Sequence, residues 1–447
     1  MRYSPGRFGV SNFWASERAE IGGVGPSGDH GELILRVLWV KAGKLLPLDT
    51  GGKIRSYNIL RRLANDHSVT LLSYYGGRSD PEYENALPQH FTGAQVICTA
   101  TPESEGIQGL LHYLYRLPGP APYSVAKFTH REVRAAVGRE LVGGDFDVAV
   151  CDFLAASLNF PRQTPIPCVL FQHNVESSLW RRMATIESNL VRKLFYLVES
   201  AKMSRYERRT LERFDHIIAV SEHDRQQMLE MEPERGITVV PTGVDTKHFQ
   251  VAPPSSAAPP RIVFIGSMDW KPNVDAVEYF CSKIWPCIEA EFPDAVFQIV
   301  GRGPLARVRR LASKSIEVTG TVPSVTSYLR DATVVVVPLR IGGGTRLKIF
   351  EAMATGKAVV STSIGAEGLR VQNGRDLLLA DGAVSFAEAI LLLLRDDGVR
   401  RRLEQAGVQL AAQYDWSVVV QQFVSTLRKI ADSKVGSGQT AKTAFSI

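Results

Sequence analysis

Residues 33–75 read LILRVLWVKAGKLLPLDTGGKIRSYNILRRLANDHSVTLLSYY, and this stretch decides the fold. An apolar run (LILRVLWV) leads into a loop carrying Gly51 and Gly52. IRSYNILRRLAND follows with helical spacing, and then a second apolar, β-branched run (HSVTLLSYY). Strand, glycine loop, helix and strand in that order open a doubly wound parallel sheet, an α/β architecture. Further strands are expected at residues 147–150, 168–172 and 216–220.

Outward from this start, residues 250–260 (QVAPPSSAAPP) are proline-rich and aperiodic, the signature of a linker. The alternation then restarts, with strands expected at 261–266, 295–300, 316–318 and 333–339 and helices at 274–288, 304–313 and 325–330. The reading is therefore two Rossmann-like domains, 32–249 and 261–415. They are flanked by a polar, flexible extension at 1–31, an amphipathic helix at 416–433 and a disordered tail at 434–447.

With 447 residues, 45% hydrophobic and 22% charged, the chain is large enough to bury two or three cores. No apolar run approaches the ~18 residues that span a bilayer. Residues 1–20 hold no apolar h-region, so no signal peptide is expected. The five cysteines (Cys98, Cys151, Cys168, Cys281, Cys287) are scattered, with no CxxC pair. That argues against a zinc site or a disulfide framework and for a reduced, cytoplasmic setting. A net charge of +6 suits anionic partners, but no nucleic-acid motif accompanies it.

The chemistry concentrates in residues 341–360, IGGGTRLKIFEAMATGKAVV. Gly342, Gly343, Gly344 and Thr345 precede a helix whose first turns carry Arg346, Lys348 and Glu351. Glycines before a helix let backbone N–H groups converge on an anion, and the helix N-terminus adds about half a positive charge. Two cations there oppose the helix dipole, a cost that a bound diphosphate removes. Glu351 is no phosphate ligand; it suits hydroxyl donors such as those of a ribose. A plain loop–helix–strand connection is the bland alternative.

Weaker motifs surround this one. Gly301-Arg-Gly303-Pro-Leu-Ala306 matches a dinucleotide fingerprint, but it follows the second strand of its domain and Pro304 lacks an N–H. Asp145-Phe-Asp147 resembles a metal-binding pair without a third ligand, and reads as polar turn residues before a strand. In Ser221-Glu-His223-Asp224, Ser221 and Asp224 read as a helix cap rather than a hydrolase triad. His173 and Asp152 stand at the carboxyl ends of strands, the edge where doubly wound sheets bind ligands. Residues 178–214 read as one long helix with Leu179, Met183, Ile186, Leu190, Leu194, Leu197 and Ala201 on one face and basic residues elsewhere. Such a helix packs on a core or lies on an anionic membrane.

Taken together, PLDTGGKIRSYNILRRLA, FDHIIAVSEHDR, VVPTGVDTKHF, FIGSMDWKPNVDAVEYF, IVGRGP, VTGTVPSV, SIGAEGL and the glycine-rich segment resemble the GT-B glycosyltransferases of family 4, over roughly residues 33–431. The resemblance implies two Rossmann-like domains facing across a cleft, with the C-terminal helix returning to the first. It further implies retention of anomeric configuration, a nucleotide-sugar donor held mainly by the second domain, and an acceptor on the first. Glu351 resembles the second glutamate of the family's E-x7-E motif, at the donor ribose. Gly51 and Gly52 resemble the glycine loop beside the diphosphate, His173 a histidine near the transferring sugar, and Val322 and Pro323 the loop flanking the base.

Three positions depart from the family pattern. The first E-x7-E glutamate falls on Gly343. The usual diphosphate cations fall on Ser267, next to Gly266, and on Pro272. The strand-end histidine falls on Asp152. Arg346, Lys348 and Lys271 are the cations left to take the diphosphate. The resulting expectation is a metal-independent hexosyltransferase without a cofactor, acting on a glycan or lipid-linked acceptor in polysaccharide or envelope synthesis. It would be cytoplasmic, with peripheral contact to an anionic membrane left open. An NAD(P)-dependent oxidoreductase or nucleotide-sugar epimerase, and a non-catalytic nucleotide-sugar binder, are the competing classes.

Overall fold

The computed structural model describes residues 34–99, 115, 119–251, 259–342 and 347–443. The extension at 1–31, most of the linker, and Gly343, Gly344, Thr345 and Arg346 lie outside the described residues. The elements below belong to one compact unit beginning at Leu35.

The first lobe comprises β1 (Arg36–Ala42), α1 (Gly51–Asp66), β2 (Ser68–Gly76), α2 (Pro81–His90), β3 (Gln95–Thr99), α3 (Arg131–Gly143), β4 (Val148–Asp152), β5 (Cys168–Gln172), α4 (Glu176–Ile186), α5 (Leu190–Leu211), β6 (His216–Ala219), α6 (Glu222–Met231) and β7 (Ile237–Val239). Its strands pair in parallel in the order β3-β2-β1-β4-β5-β6-β7. β4 and β5 are buried at every position, as strands covered by helices on both faces must be.

The second lobe contains β8 (Arg261–Ile265), α7 (Lys271–Tyr279), α8 (Trp285–Glu291), β9 (Val296–Val300), β10 (Ile316–Gly320), α9 (Thr326–Asp331), β11 (Val334–Val337), α10 (Leu347–Ala354), β12 (Ala358–Ser361), β13 (Leu378–Leu379), α11 (Ala383–Arg395) and α12 (Asp397–Ala412). The strand order is β10-β9-β8-β11-β12-β13, again parallel. α13 (Trp416–Thr443) returns to the first lobe, where Phe423 packs its ring 5.7 Å from Trp39 and 5.1 Å from Phe171. Among the described residues no helix is long and apolar enough to cross a membrane.

Three expectations are corrected in detail. α13 runs on through residue 443, where a disordered tail was expected from 434; no proline interrupts the stretch. The helix expected at 274–288 is broken by a π turn at Phe280–Ile284, in which the Trp285 N–H reaches back to the Phe280 carbonyl. Pro286 follows at once; its ring and missing N–H forbid an ordinary turn there. The single helix expected at 178–214 is two, α4 and α5, because Asn189 caps a new start by accepting the Arg192 N–H at 3.1 Å.

The chain passes between lobes twice, and the two crossings are bonded to each other. The Val244 N–H donates to the Tyr414 carbonyl at 2.8 Å and the Trp416 N–H to the Val244 carbonyl at 3.2 Å. Thr246 gives its N–H (3.2 Å) and hydroxyl (2.6 Å) to the Asp415 carboxylate. A Cβ on Gly243 would fall 2.6 Å from the buried Trp416 ring, so glycine is required for this approach.

Candidate functional site

Strand order reverses between β1 and β4 in the first sheet and between β8 and β11 in the second. Ligands of doubly wound sheets bind outside the carboxyl ends of the strands at such reversals. In the first lobe this places Lys41, near the end of β1, beside Asp152, the last residue of β4; the two are paired across the sheet. Lys41 Nζ donates to Asp152 Oδ2 at 3.0 Å and to Ser56 Oγ at 3.2 Å, and Trp39 Nε1 donates to the same Asp152 oxygen at 3.1 Å. His173 follows β5, with Nε2 standing 3.0 Å from Asp152 Oδ1 but off the in-line direction of a hydrogen bond. Phe171 meets the His173 ring edge-on at 4.6 Å.

All of this is buried. Burial works to raise the Asp152 pKa, but the Lys41 ammonium, His173 and the Ser56 hydroxyl outweigh it and hold it well below the usual carboxylate range. Burial lowers His173 to about 4 against the opposing pull of Asp152, so its imidazole is neutral at pH 7. In the unfolded chain the ring takes up its proton near 6.5. Between those two values the unfolded state binds more protons, and stability falls as pH drops, by on the order of 3 kcal/mol once both limits are passed. Asp152, Lys41 and Arg55 are the charged groups that set this balance. Urea titrations at pH 7 and near pH 4.5 should show the natural chain losing more stability than His173→Gln; equal losses would place the imidazole outside this balance.

In the second lobe the chain turns at Gly266 directly after β8. A Cβ on Gly301 (φ +152°) would fall 1.8 Å from the Gly266 carbonyl oxygen, so the first glycine of the GxGxxA stretch serves a close backbone approach. Asn273 ties the turn to α10: its Nδ2 donates to the Ser267 carbonyl at 3.0 Å and its Oδ1 accepts from Lys348 Nζ at 3.1 Å. The Lys348 ammonium lies 4.3 Å from the Phe264 ring centroid and 3.0 Å from where a Gly266 Cβ would stand. Glu351, on the same helix, is pushed up to about 7 by burial, which Lys348 offsets only in part. Arg302 donates to Ser267 Oγ at 3.2 Å, and its Nη1 sits 3.5 Å from Asp269 and 3.6 Å from Asp49 of the first lobe. A guanidinium thus stands beside Ser267.

The two lobes meet at these positions. A Cβ on Gly51 would lie 3.3 Å from Leu347 Cδ1, and one on Gly52 would lie 3.4 Å from His173 Nδ1. The first residue of α1 and Leu347, the first described residue of α10, therefore lie side by side. Arg182 of α4 donates to the Gly342 carbonyl and forks onto Glu367 at 2.5 and 2.7 Å, while His223 Nε2 stands 3.2 Å from the same carboxylate. Gly51 and Gly52 thus stand beside Leu347 and His173, Gly266, Ser267 and Lys348 are joined through Asn273, and Gly342 is held by Arg182. The Lys271 ammonium bonds Glu187 of the first lobe at 2.7 Å and lies over the Tyr196 ring. Val322 and Pro323 lie just after the end of β10, half-buried and exposed.

The minor motifs resolve as local structure. Asp147 accepts the Arg36 N–H and guanidinium at 2.8 and 2.6 Å, and Ser221 Oγ caps its helix by accepting the Asp224 N–H at 3.0 Å. A cavity of about 370 Å3 beside the hinge, lined by Ser221, Phe350, Leu369, Arg370 and Tyr414, includes none of the converging residues. Among the described residues no group of three or more His, Cys, Asp or Glu could hold a metal ion. Lys41, Asn273 and Arg302 were not singled out from sequence. The one available signal was Lys41, a charge inside the apolar run LWVKA, which only a carboxylate on the neighbouring strand explains.

Comparison with known proteins agrees with this fold. Residues 50–248 match the model of Glycosyltransferase Family 4 and residues 259–396 that of Glycosyl transferases group 1. The phosphatidyl-myo-inositol mannosyltransferase of Mycobacterium leprae is 27% identical over 350 residues, covering 76% of this chain and 88% of that protein. Sucrose-phosphate synthase from Thermosynechococcus elongatus superposes with a TM-score of 0.69 at 17% identity, over 89% of this chain and 100% of the other. WaaG, a glycosyltransferase involved in lipopolysaccharide biosynthesis, gives 0.59 at 14% identity, over 88% and 99%. With both lobes matched in turn, the chain is a GT-B glycosyltransferase of family 4.

Proposed function

We infer that the chain moves a hexose from a nucleoside diphosphate sugar to a hydroxyl of a glycan or lipid-linked acceptor, with retention, in polysaccharide or envelope synthesis. The observation that carries this reading is the meeting of the α1 and α10 N-termini with the Lys348 ammonium beside them. Two helix N-termini repel each other unless an anion lies between them, and a diphosphate matches that charge.

In this reading the bond from C1 of the sugar to the β-phosphate oxygen breaks, and charge develops on the diphosphate. Lys348, Arg302 and the amides at Gly51 and Gly52 stabilise that charge where it forms, which is the usual largest catalytic contribution. Gly342, Gly343, Gly344, Thr345 and Arg346 share the same connection in sequence. The acceptor oxygen bonds C1 on the same face, and its proton passes to the departing phosphate oxygen, so no protein nucleophile is needed. His173 and Asp152 orient the transferring sugar, Glu351 accepts hydroxyls of the ribose, and Val322 and Pro323 flank the base. The chain's own cations serve in place of a metal. The mannosyltransferase relative's name points to a phosphatidylinositol acceptor, which favours the lipid-linked class and a cytoplasmic enzyme working at a membrane surface.

A thermal-shift panel of UDP-, GDP- and ADP-sugars with NAD(P), followed by anomeric NMR of the product, tests this. One nucleotide-sugar should stabilise the chain and yield a product of unchanged configuration. Stabilisation by NAD(P) alone would instead indicate an oxidoreductase or epimerase. Donor binding without turnover across acceptors would indicate a binding protein.

A further inference from the structure

α5 turns apolar side chains outward over its first turns and packs Met203, Tyr206 and Leu211 inward beyond them. Its polar residues Glu199, Ser200, Glu207 and Thr210 are buried. Glu207 explains the orientation: its carboxylate caps α4, accepting the N–H groups of Glu176 and Ser177 at 2.7 and 3.1 Å, and Ser200 Oγ donates to the Ser177 carbonyl at 3.0 Å. The leucines expected to pack on a core are consequently left in solvent. Leu190 is 79% exposed, Val191 78%, Leu194 63%, Leu197 46% and Val198 43%. No other stretch of the described residues gathers exposed apolar side chains in this way.

The stripe formed by Leu190, Leu194, Leu197 and exposed Ala201 continues, at the same steps of three and four, into exposed Arg205 and Arg208, with Arg209 alongside. Arg192 and Arg181 are exposed at the apolar end. The acids of α5 are mostly turned away: Glu199 and Glu207 are buried, and at the hairpin bend Glu187 is bound to Lys271. Only Glu212 approaches this surface, 3.7 Å from Arg208. One face that is apolar over its first three turns and cationic beyond fits a bilayer carrying anionic headgroups, with apolar side chains in the acyl boundary and guanidinium groups on the phosphates.

We propose that the exposed face of α5 docks the enzyme on an anionic membrane. The hairpin that carries it also touches the donor side of the cleft, through Lys271–Glu187 and through Arg182 on Gly342. Docking therefore presents the cleft to a lipid-borne acceptor. The proposal deepens the lipid-linked reading above, yet it is tested without donor, acceptor or turnover.

The test is co-sedimentation of the full chain with vesicles of phosphatidylglycerol and phosphatidylcholine, against phosphatidylcholine alone, at low and high salt. Binding should need phosphatidylglycerol and weaken with salt. Arg205→Glu/Arg208→Glu/Arg209→Glu should lower affinity on the order of a hundredfold or more, and Leu190→Glu/Leu194→Glu by at least about tenfold. Unchanged melting temperatures will show that the variants fold. Absence of vesicle binding by the natural chain, or binding indifferent to both sets, overturns the proposal. So does a dimer in light scattering that Leu190→Glu/Leu194→Glu disperses, since the face would then join two copies.

Discussion

Asp152→Ala should cost about 3–5 kcal/mol of folding stability, the loss typical of a buried ion pair deprived of one partner. Lys41 is 6% exposed, and among the described residues its ammonium bonds Asp152 and Ser56 Oγ. Removing the carboxylate leaves that charge in the sheet interior and also strips the Trp39 indole N–H of its acceptor. Lys41→Met/Asp152→Leu should recover most of the loss, because the cost comes from an unpaired charge rather than from a lost attraction. Urea unfolding of the three chains at pH 7 decides the matter. A single-variant loss below about 1 kcal/mol would mean that water reaches Lys41.

Lys348→Met should lower kcat for sugar transfer by about 10²–10³-fold, the range found when one donor to a developing negative charge is removed. Methionine keeps an apolar stem over Phe264, so the melting temperature should stay close to that of the natural chain. Saturating donor separates transfer from binding: loss in kcat marks charge stabilised in the transition state, whereas a change confined to KM marks ground-state binding. A kcat within threefold of the natural enzyme would remove Lys348 from the diphosphate site. Arg302, held by Ser267 Oγ, would then be the leading cation.

The fold was largely legible because parallel strands buried on both faces write continuous apolar runs, as in VAVCD and VVVV. The residues at the ends of those strands were legible too, since glycines and a histidine interrupt the pattern there. What escaped was whatever depended on a distant partner. Lys41 is an oddity until Asp152 is placed beside it, and Arg302 is a spacer between glycines until Ser267 and Asp49 surround it. Nothing local to Lys271 reveals Glu187, which pairs with it from the first lobe. Periodicity grouped Leu179 and Met183 with Leu190 and Leu194 on one apolar stripe, but a capped break and a buried glutamate sent the first pair inward and the second outward.

The bonded pair of chain crossings at Val244 and Asp415 has a mechanical consequence. Two bodies joined by independent tethers can slide, tilt and twist against one another. Two tethers fastened side by side behave as an axle, and swinging about it is the cheap motion, whereas sliding first has to break the bonds between Val244, Tyr414 and Trp416. A swing of the lobes about this axle would follow one arc and bring them back in the same register.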